Sequence, residues 1–197
     1  MRLFAALRPS DDAVEHLVSA LRPIQASAPG LRWPDPDQWH LTCAFYGEVP
    51  DGSVDSIAAR VQTAARSSAP LELSLRGAGS FAGRTLWIGV GGDTDRLRQL
   101  MSACSDEDGA QHRRAHLTVA RASSRADPRL RGRGGPGRRV PTGGDVDAVV
   151  RALAVYAGPA WTSHEVQVVR SDLGRGRSGG ALHTVLASFA LGSDPTT

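Results

Sequence analysis

The chain contains two short stretches of the same kind, and this internal echo constrains the fold more than anything else in it. Trp39-His40-Leu41-Thr42-Cys43-Ala44-Phe45 and Ala115-His116-Leu117-Thr118-Val119-Ala120-Arg121 both read His-Leu-Thr and then continue apolar. Apolar and β-branched residues without a helical stripe predict two short buried strands. Side chains alternate faces along a strand, so His40 shares a face with Thr42, and His116 with Thr118. A lone His-x-Thr in an apolar strand reads most simply as a hydrogen-bonded core histidine. Two copies in matching surroundings read differently.

The surroundings do match. A strand over Arg2–Leu7 precedes a helix that Ser10 caps, with Asp11 and Asp12 at its positive end. Val14, Leu17, Val18 and Leu21 form its apolar stripe, and Pro23 followed by Pro29-Gly30 is expected to end it. Arg32-Trp33 then forms a short extended piece ahead of the first motif. In the second half, a strand over Thr85–Val90 leads into a helix capped by Asp93, with Leu97, Leu100, Met101 and Cys104 on one face, and then the second motif. Strand, capped helix and motif strand thus recur. The pattern predicts two similar lobes related by a pseudo-twofold, their motif strands lining one cleft.

Between and after these units, a helix carries Val54, Ile57, Ala58 and Val61, and Leu71, Leu73 and Leu75 alternate in a half-buried strand. Gly77, Gly79 and Gly83 mark turns. A last helix after Asp145 carries Val146, Val149, Val150 and Leu153, and strands near 165–170 and 182–189 close the chain. His16 falls off the stripe of its helix and reads as solvated, while His164 and His183 show no partner pattern. From 122 to 144 the chain is rich in Arg, Gly and Pro and is expected to be a mobile loop.

Charge and composition narrow the function. Every one of the 23 basic residues is Arg, and the net charge is +3. The basic residues concentrate from Arg113 to Arg139, beginning at the second motif, which suggests attraction of an anionic substrate. Cys43 and Cys104 form no disulfide framework, and no run reaches membrane-spanning length, so a cytoplasmic location is expected. At 197 residues the whole chain is expected to form one domain, with lobes built around 39–46 and 115–121.

Two histidines on opposite sides of a phosphorus centre can act as acid and base, because the imidazole titrates near neutrality. Threonine hydroxyls can hold non-bridging oxygens, and an arginine can offset the charge that grows in the transition state. No metal is required. A zinc site is the competing reading, but His40 and Cys43, three apart on a strand, face opposite ways, and His112 and His116 lead into a strand.

With both motifs in place, the chain resembles the two-histidine (2H) phosphoesterases, and within them the LigT-like RNA 2′,3′-cyclic phosphodiesterases, historically called 2′-5′ RNA ligases. The resemblance rests on Arg2-Leu3-Phe4, Arg32-Trp33, His40-Leu41-Thr42 with Phe45-Tyr46-Gly47, Leu86-Trp87-Ile88-Gly89-Val90, His116-Leu117-Thr118-Val119-Ala120-Arg121 and Arg170-Ser171-Asp172-Leu173. It implies a bilobal α+β fold, with antiparallel sheets flanking a central cleft and helices outside. It implies hydrolysis of a 2′,3′-cyclic phosphate to a 2′-phosphate without metal or other cofactor. His40 would protonate the 3′ leaving oxygen and His116 would activate water. Thr42, Thr118 and Arg121 would hold the phosphate, and Phe45 would border the nucleoside. The implied partner is RNA with a cyclic phosphate end, and a monomer is expected. The alternatives are a 2H enzyme for a small cyclic nucleotide or 2′-5′ oligonucleotide, and a non-catalytic RNA-binding module on the same fold.

Three departures stand out: Ala115 where a proline is usual, Cys43 where an aliphatic is common, and His183 where an aromatic is expected. A geometric difficulty also remains. Strict alternation puts Phe45 and Arg121 on the faces away from His40 and His116, so reaching the site needs strand twist, a bulge or a reach around the strand end.

Overall fold

A computed structural model describes residues 1–105, 114–122, 143–176 and 180–192. The first strand, β1 (Arg2–Leu7), is buried from Leu3 onward, so it lies inside a sheet and not at its edge. Helix α1 (Asp11–Ser27) follows, and the Ser10 hydroxyl accepts a hydrogen bond from the Ala13 N–H at 3.2 Å, as the sequence predicts for its cap. The helix does not stop at Pro23 but runs through it to Ser27. The proline removes one backbone donor, and Leu17 and Leu21, both fully buried, hold the helix to the core ahead of it.

The remaining elements are β2 (Leu31–Arg32), β3 (Leu41–Glu48), α2 (Val54–Arg66), β4 (Leu71–Phe81), β5 (Thr85–Gly92), α3 (Thr94–Cys104), β6 (His116–Ala122), α4 (Gly143–Ala152), β7 (Ala157–Ser163), β8 (Glu165–Asp172) and β9 (Leu182–Ala190). Strand β7 was not legible in the sequence. It holds Gly158 and Pro159 and, among the described residues, is an edge strand paired with β4 alone, where a missing N–H costs no ladder bond.

The strands run in the order β7-β4-β5-β6-β3-β1-β8-β9, all antiparallel, with β2 against β6. The order reads outward from its middle as a repeat. The motif strands β3 and β6 meet there, and each pairs with the strand that opens its own half, β1 or β5. The motif strands themselves pair at Leu41 with Leu117, and β2 of the first half adds Leu31 with Ala122 and Arg32 with Arg121 on β6. This is the expected two-lobed α+β architecture, with motif strands at the junction.

The helices tie the halves together. Helix α1, which follows β1, lies against β7 of the other half, and α3, which follows β5, lies against β3. One apolar cluster therefore runs through both halves, from Leu3 and Leu41 to Leu73, Ile88 and Leu117. Each such fully buried leucine or isoleucine contributes about 1.5–3 kcal/mol by leaving water.

Three local expectations need correcting. Asp93 stands at the N-cap of α3 but makes no capping hydrogen bond there, because its carboxylate accepts from the Glu72 N–H at 3.0 Å and from Arg96 at 2.9 Å. Of the three glycines read as turns, Gly83 alone lies in one: with Ala82 (φ 49°) it gives the two left-handed residues (Gly83 φ 61°) of the β4–β5 hairpin. Gly77 (φ 60°) lies at an irregularity within β4, and Gly79 lies inside the strand beneath the Trp87 ring. His16 is not simply solvated, since its Nδ1 hydrogen-bonds the Tyr156 hydroxyl at 3.1 Å. The predicted Arg-rich loop falls largely in 123–142, outside the described residues.

Candidate active site

The two motif histidines are anchored in the same way. A 3-10 turn over Pro36–Gln38 precedes β3 and brings the Gln38 carbonyl to the Nδ1 of His40, at 2.8 Å. In the other half, Nδ1 of His116 meets the carbonyl of Arg114 at 3.0 Å. In each case the partner is the residue two positions earlier. A carbonyl oxygen only accepts, so Nδ1 donates in both rings. The neutral tautomer then carries its lone pair on Nε2, and Nε2 is the atom that gains or gives a proton.

The difficulty with Phe45 and Arg121 is resolved by one device used twice. Ala5 and Ala6 of β1 are adjacent, but they pair with Ala44 and Thr42, which leaves Cys43 as an extra residue in β3. Leu86 and Trp87 of β5 are adjacent, but they pair with Ala120 and Thr118, which leaves Val119 extra in β6. Each bulge falls three residues after its histidine. In each strand two consecutive residues are then buried, Cys43 with Ala44 and Val119 with Ala120. The alternation is reset by one, and the next residue, Phe45 or Arg121, returns to the side of its His and Thr. Phe45 and Arg121 are both exposed there. They are pseudo-symmetric counterparts, one aromatic and one cationic.

A cavity of about 930 Å³ opens beside this junction, bordered by Thr42, Phe45, Phe81, Trp87, Arg98 and His116 among others. Of the predicted site residues, Thr42, Phe45 and His116 line it, whereas His40, Thr118 and Arg121 do not. Thr118 is paired with Trp87 in the β5–β6 ladder. Arg121 and His116 both bear electrostatically on His40, each opposing its protonation.

Aromatic rings complete the surroundings. Phe81 meets His116 edge-on, with centroids 4.9 Å apart, and Trp87 lies 6.3 Å from it. On the other side, Phe4 packs against His40 at 4.6 Å and His183 meets it edge-on at 5.0 Å. The guanidinium of Arg2 sits 4.7 Å over the Phe45 ring, a cation–π contact. Phe81, Trp87, Gln38 and His183 were not singled out as site residues in the sequence. For Trp87 a signal existed, since alternation in β5 sets it opposite the buried Leu86 and Ile88. For His183 the signal was the resemblance, which expects an aromatic there, since β9 shares no local spacing with the motifs.

Burial decides the resting charge of His40. It lowers the imidazole from 6.5 to about 4, outweighing the Gln38 hydrogen bond that raises it; His183, Arg121 and His116 lower it further. Burial likewise lowers His183. The thiol of Cys43 is pushed well up by burial, and that of Cys104 up to about 12. Neither resembles a nucleophile. Among the described residues, no helix is long and apolar enough to cross a membrane.

Comparison with known proteins agrees with this geometry. The sequence pattern of the LigT-like phosphoesterases matches residues 7–90. A Geobacillus stearothermophilus protein named RNA 2′,3′-cyclic phosphodiesterase is 32% identical over 106 residues, covering 49% of this chain and 34% of that protein. An Archaeoglobus fulgidus protein of the same name is 29% identical over 130 residues, covering 61% of this chain and 72% of that protein. The chain spans only 34% of the Geobacillus relative and 51% of a Methanothermobacter thermautotrophicus one. Among solved structures, a Thermus thermophilus protein superposes with a TM-score of 0.68 at 25% identity, covering 99% of this chain and 100% of that one. Escherichia coli LigT, solved with phosphate, gives a TM-score of 0.68 at 20% identity, covering 98% of each chain. In sequence over residues 7–90, and in fold over nearly its whole length, this chain is similar to the LigT-like phosphoesterases.

Proposed function

We propose that the protein is a metal-independent RNA 2′,3′-cyclic phosphodiesterase that produces a 2′-phosphate end. The observation that carries this reading is the paired anchoring of His40 and His116, each holding Nδ1 on a carbonyl and presenting Nε2. In the reaction, a water oxygen forms a bond to phosphorus and the bond from phosphorus to O3′ breaks. Nε2 of His116 takes the proton from the water, and Nε2–H of His40 gives one to O3′. Thr42 and Thr118 donate hydroxyl hydrogen bonds to the non-bridging oxygens. Arg121 offsets the charge that builds on them, and Phe45 borders the nucleoside. The names of the relatives support this substrate class.

The test uses a nucleoside 2′,3′-cyclic phosphate in EDTA, with His40→Ala and His116→Ala beside the parent, and identification of the product isomer. A 2′-phosphate from the parent, with turnover reduced about 10²–10⁴-fold in each variant, is expected. A 3′-phosphate would exchange the leaving oxygen. A deoxynucleoside 3′-(p-nitrophenyl phosphate) then assigns the roles. Its leaving group needs no proton, so His40→Ala should recover most of its loss on it while His116→Ala should not. Comparing a mononucleotide with an oligonucleotide bearing the same cyclic end separates RNA from a small-nucleotide substrate. Undiminished RNA binding by the double variant, with no turnover in the parent, would favour the binding module.

A further inference from the structure

The repeat makes His40 and His116 nearly equivalent: the same anchor two residues back, the same threonine two residues on, the same bulge three residues on. A reaction that needs one acid and one base needs something to make them unequal. Their neighbouring rings differ, and the difference weighs on the charge of His40 alone. The ring edge-on to His116 is Phe81, at 4.9 Å and 80°, which carries no proton. The ring edge-on to His40 is His183, at 5.0 Å and 80°, which does.

His183 is held in place by more than this contact. Its backbone N–H donates to the side-chain oxygen Oε1 of Gln38 at 2.9 Å, while the backbone carbonyl of the same Gln38 takes the Nδ1 proton of His40. Gln38 therefore holds both histidines, its side chain taking the His183 backbone N–H and its backbone acting on both rings. Phe4 packs against both rings, at 4.6 Å from His40 and 5.1 Å from His183. His183 comes from β9, at the far edge of the first half, and no local feature of the sequence links it to either motif.

We propose that His183 is a positioning residue that makes the two motif histidines unequal: its ring fixes His40 edge-on, and a proton on His183 opposes a second proton on His40. The proposal deepens the phosphodiesterase reading and rests on it for its catalytic meaning. The groups whose charge acts on His40 are His183 from β9 and Arg121 and His116 from β6, with the Gln38 carbonyl as the opposing dipole. His183 alone among these sets its ring against that of His40.

The test replaces His183 by Phe, which gives His40 the kind of neighbour that His116 has. The backbone N–H contact to the Gln38 side chain survives, while the interaction of the Gln38 backbone with the His183 ring is lost. His40 is followed by ring-proton or ¹⁵N NMR as a function of pH in the substrate-free protein. Two unit charges about 5 Å apart, in surroundings between water and protein interior, predict that the His40 midpoint rises by roughly 0.6–2 pH units in the variant. The parent offers a second reading without substitution: His40 and His183 should titrate together, each curve broadened or in two steps. A shift in the variant supports the proposal, as does coupled titration in the parent. An unmoved His40 midpoint in a folded His183→Phe overturns it. Should that variant not fold, independent single-site curves for the two histidines in the parent overturn it. Neither measurement uses substrate, so failure of the phosphodiesterase reading would show up separately, in the turnover assay.

Discussion

A buried histidine that titrates at about 4 is an unpromising general acid, and this gives the most exacting prediction for the proposed mechanism. At pH 7 such a group is protonated in only about one molecule in 10³. The substrate itself must supply the difference. A phosphate bearing one negative charge, held about 4 Å from Nε2 with an effective dielectric near 20, favours the imidazolium by ~4 kcal/mol, or about 3 pH units. That would carry His40 from about 4 to near 7, the range in which an acid is both charged and able to part with its proton. Binding of a nucleoside 2′-phosphate should therefore draw a proton onto His40. The assay is an NMR titration of His40 with and without the saturating product, backed by calorimetry in buffers of different ionisation heat to count the protons taken up. The expected result is a midpoint rising by about 2 to 3 units and uptake near one proton at pH 6, counted as order-of-magnitude values. A midpoint still below about 5 in the saturated complex would refute the assignment. His40 would then be the base that burial keeps neutral, and His116 the acid.

Other consequences follow from the same structure. Because His40 titrates near 6.5 when unfolded and at about 4 when folded, the unfolded chain binds the extra proton between these values. Stability from this group is thus complete above about 6.5 and declines toward pH 4, by about 3 kcal/mol, and urea melts of the parent against His40→Asn should show the slope reduced by that amount, with the part due to His183 remaining. A side chain at Gly79 would meet the Trp87 ring, so Gly79→Ala should displace the indole from the cavity wall, raise KM more than it lowers kcat, and cost about 1–3 kcal/mol; unchanged tryptophan emission and KM would contradict this. Arg121→Ala should lower kcat/KM by about 10²–10³, with Arg121→Lys between it and the parent. Cys43 and Cys104, both buried with raised thiols, should resist a thiol reagent until the protein is denatured; labelling of the native protein within minutes would show that the core opens there.

The elements that the sequence revealed are those whose apolar periodicity is enforced by one burial surface. Leu71, Leu73 and Leu75 alternate because one face of β4 is in the core, and Leu97, Leu100, Met101 and Cys104 recur because one side of α3 is. Where a second rule competes with periodicity, local reading fails. Pro23 stays inside α1 because residues on both sides of it pack inward, including Leu21 and Ile24. Strand β7 shows little alternation, since an edge strand can be half-exposed and can hold Pro159. Gly79 looks like a turn residue until the chain is folded and an indole lies across it. His183 and Gln38 are 145 positions apart, and no spacing rule connects residues that meet only through the order of strands in a sheet.

The bulges mark the point at which pattern and chemistry part company. A regular strand could present His40 and Thr42, or His116 and Thr118, but its following alternate position would be Ala44 or Ala120. Placing Phe45 and Arg121 on the working face requires one extra residue in each motif strand, and the extra residue must be one that the core accepts. Cys43 and Val119 meet that condition, both small and both buried. The substitution of Cys43 for a commoner aliphatic is thus a change within the bulge, at a buried position that also borders the cavity. Repeating the bulge in both halves preserves the symmetry of the two histidines, so their division of labour has to come from elsewhere. On the mechanism proposed above, it comes from what each half then offers at its second position, an aromatic ring in one and a guanidinium in the other, and from the titratable ring that, among the described residues, stands edge-on to His40 where His116 has Phe81.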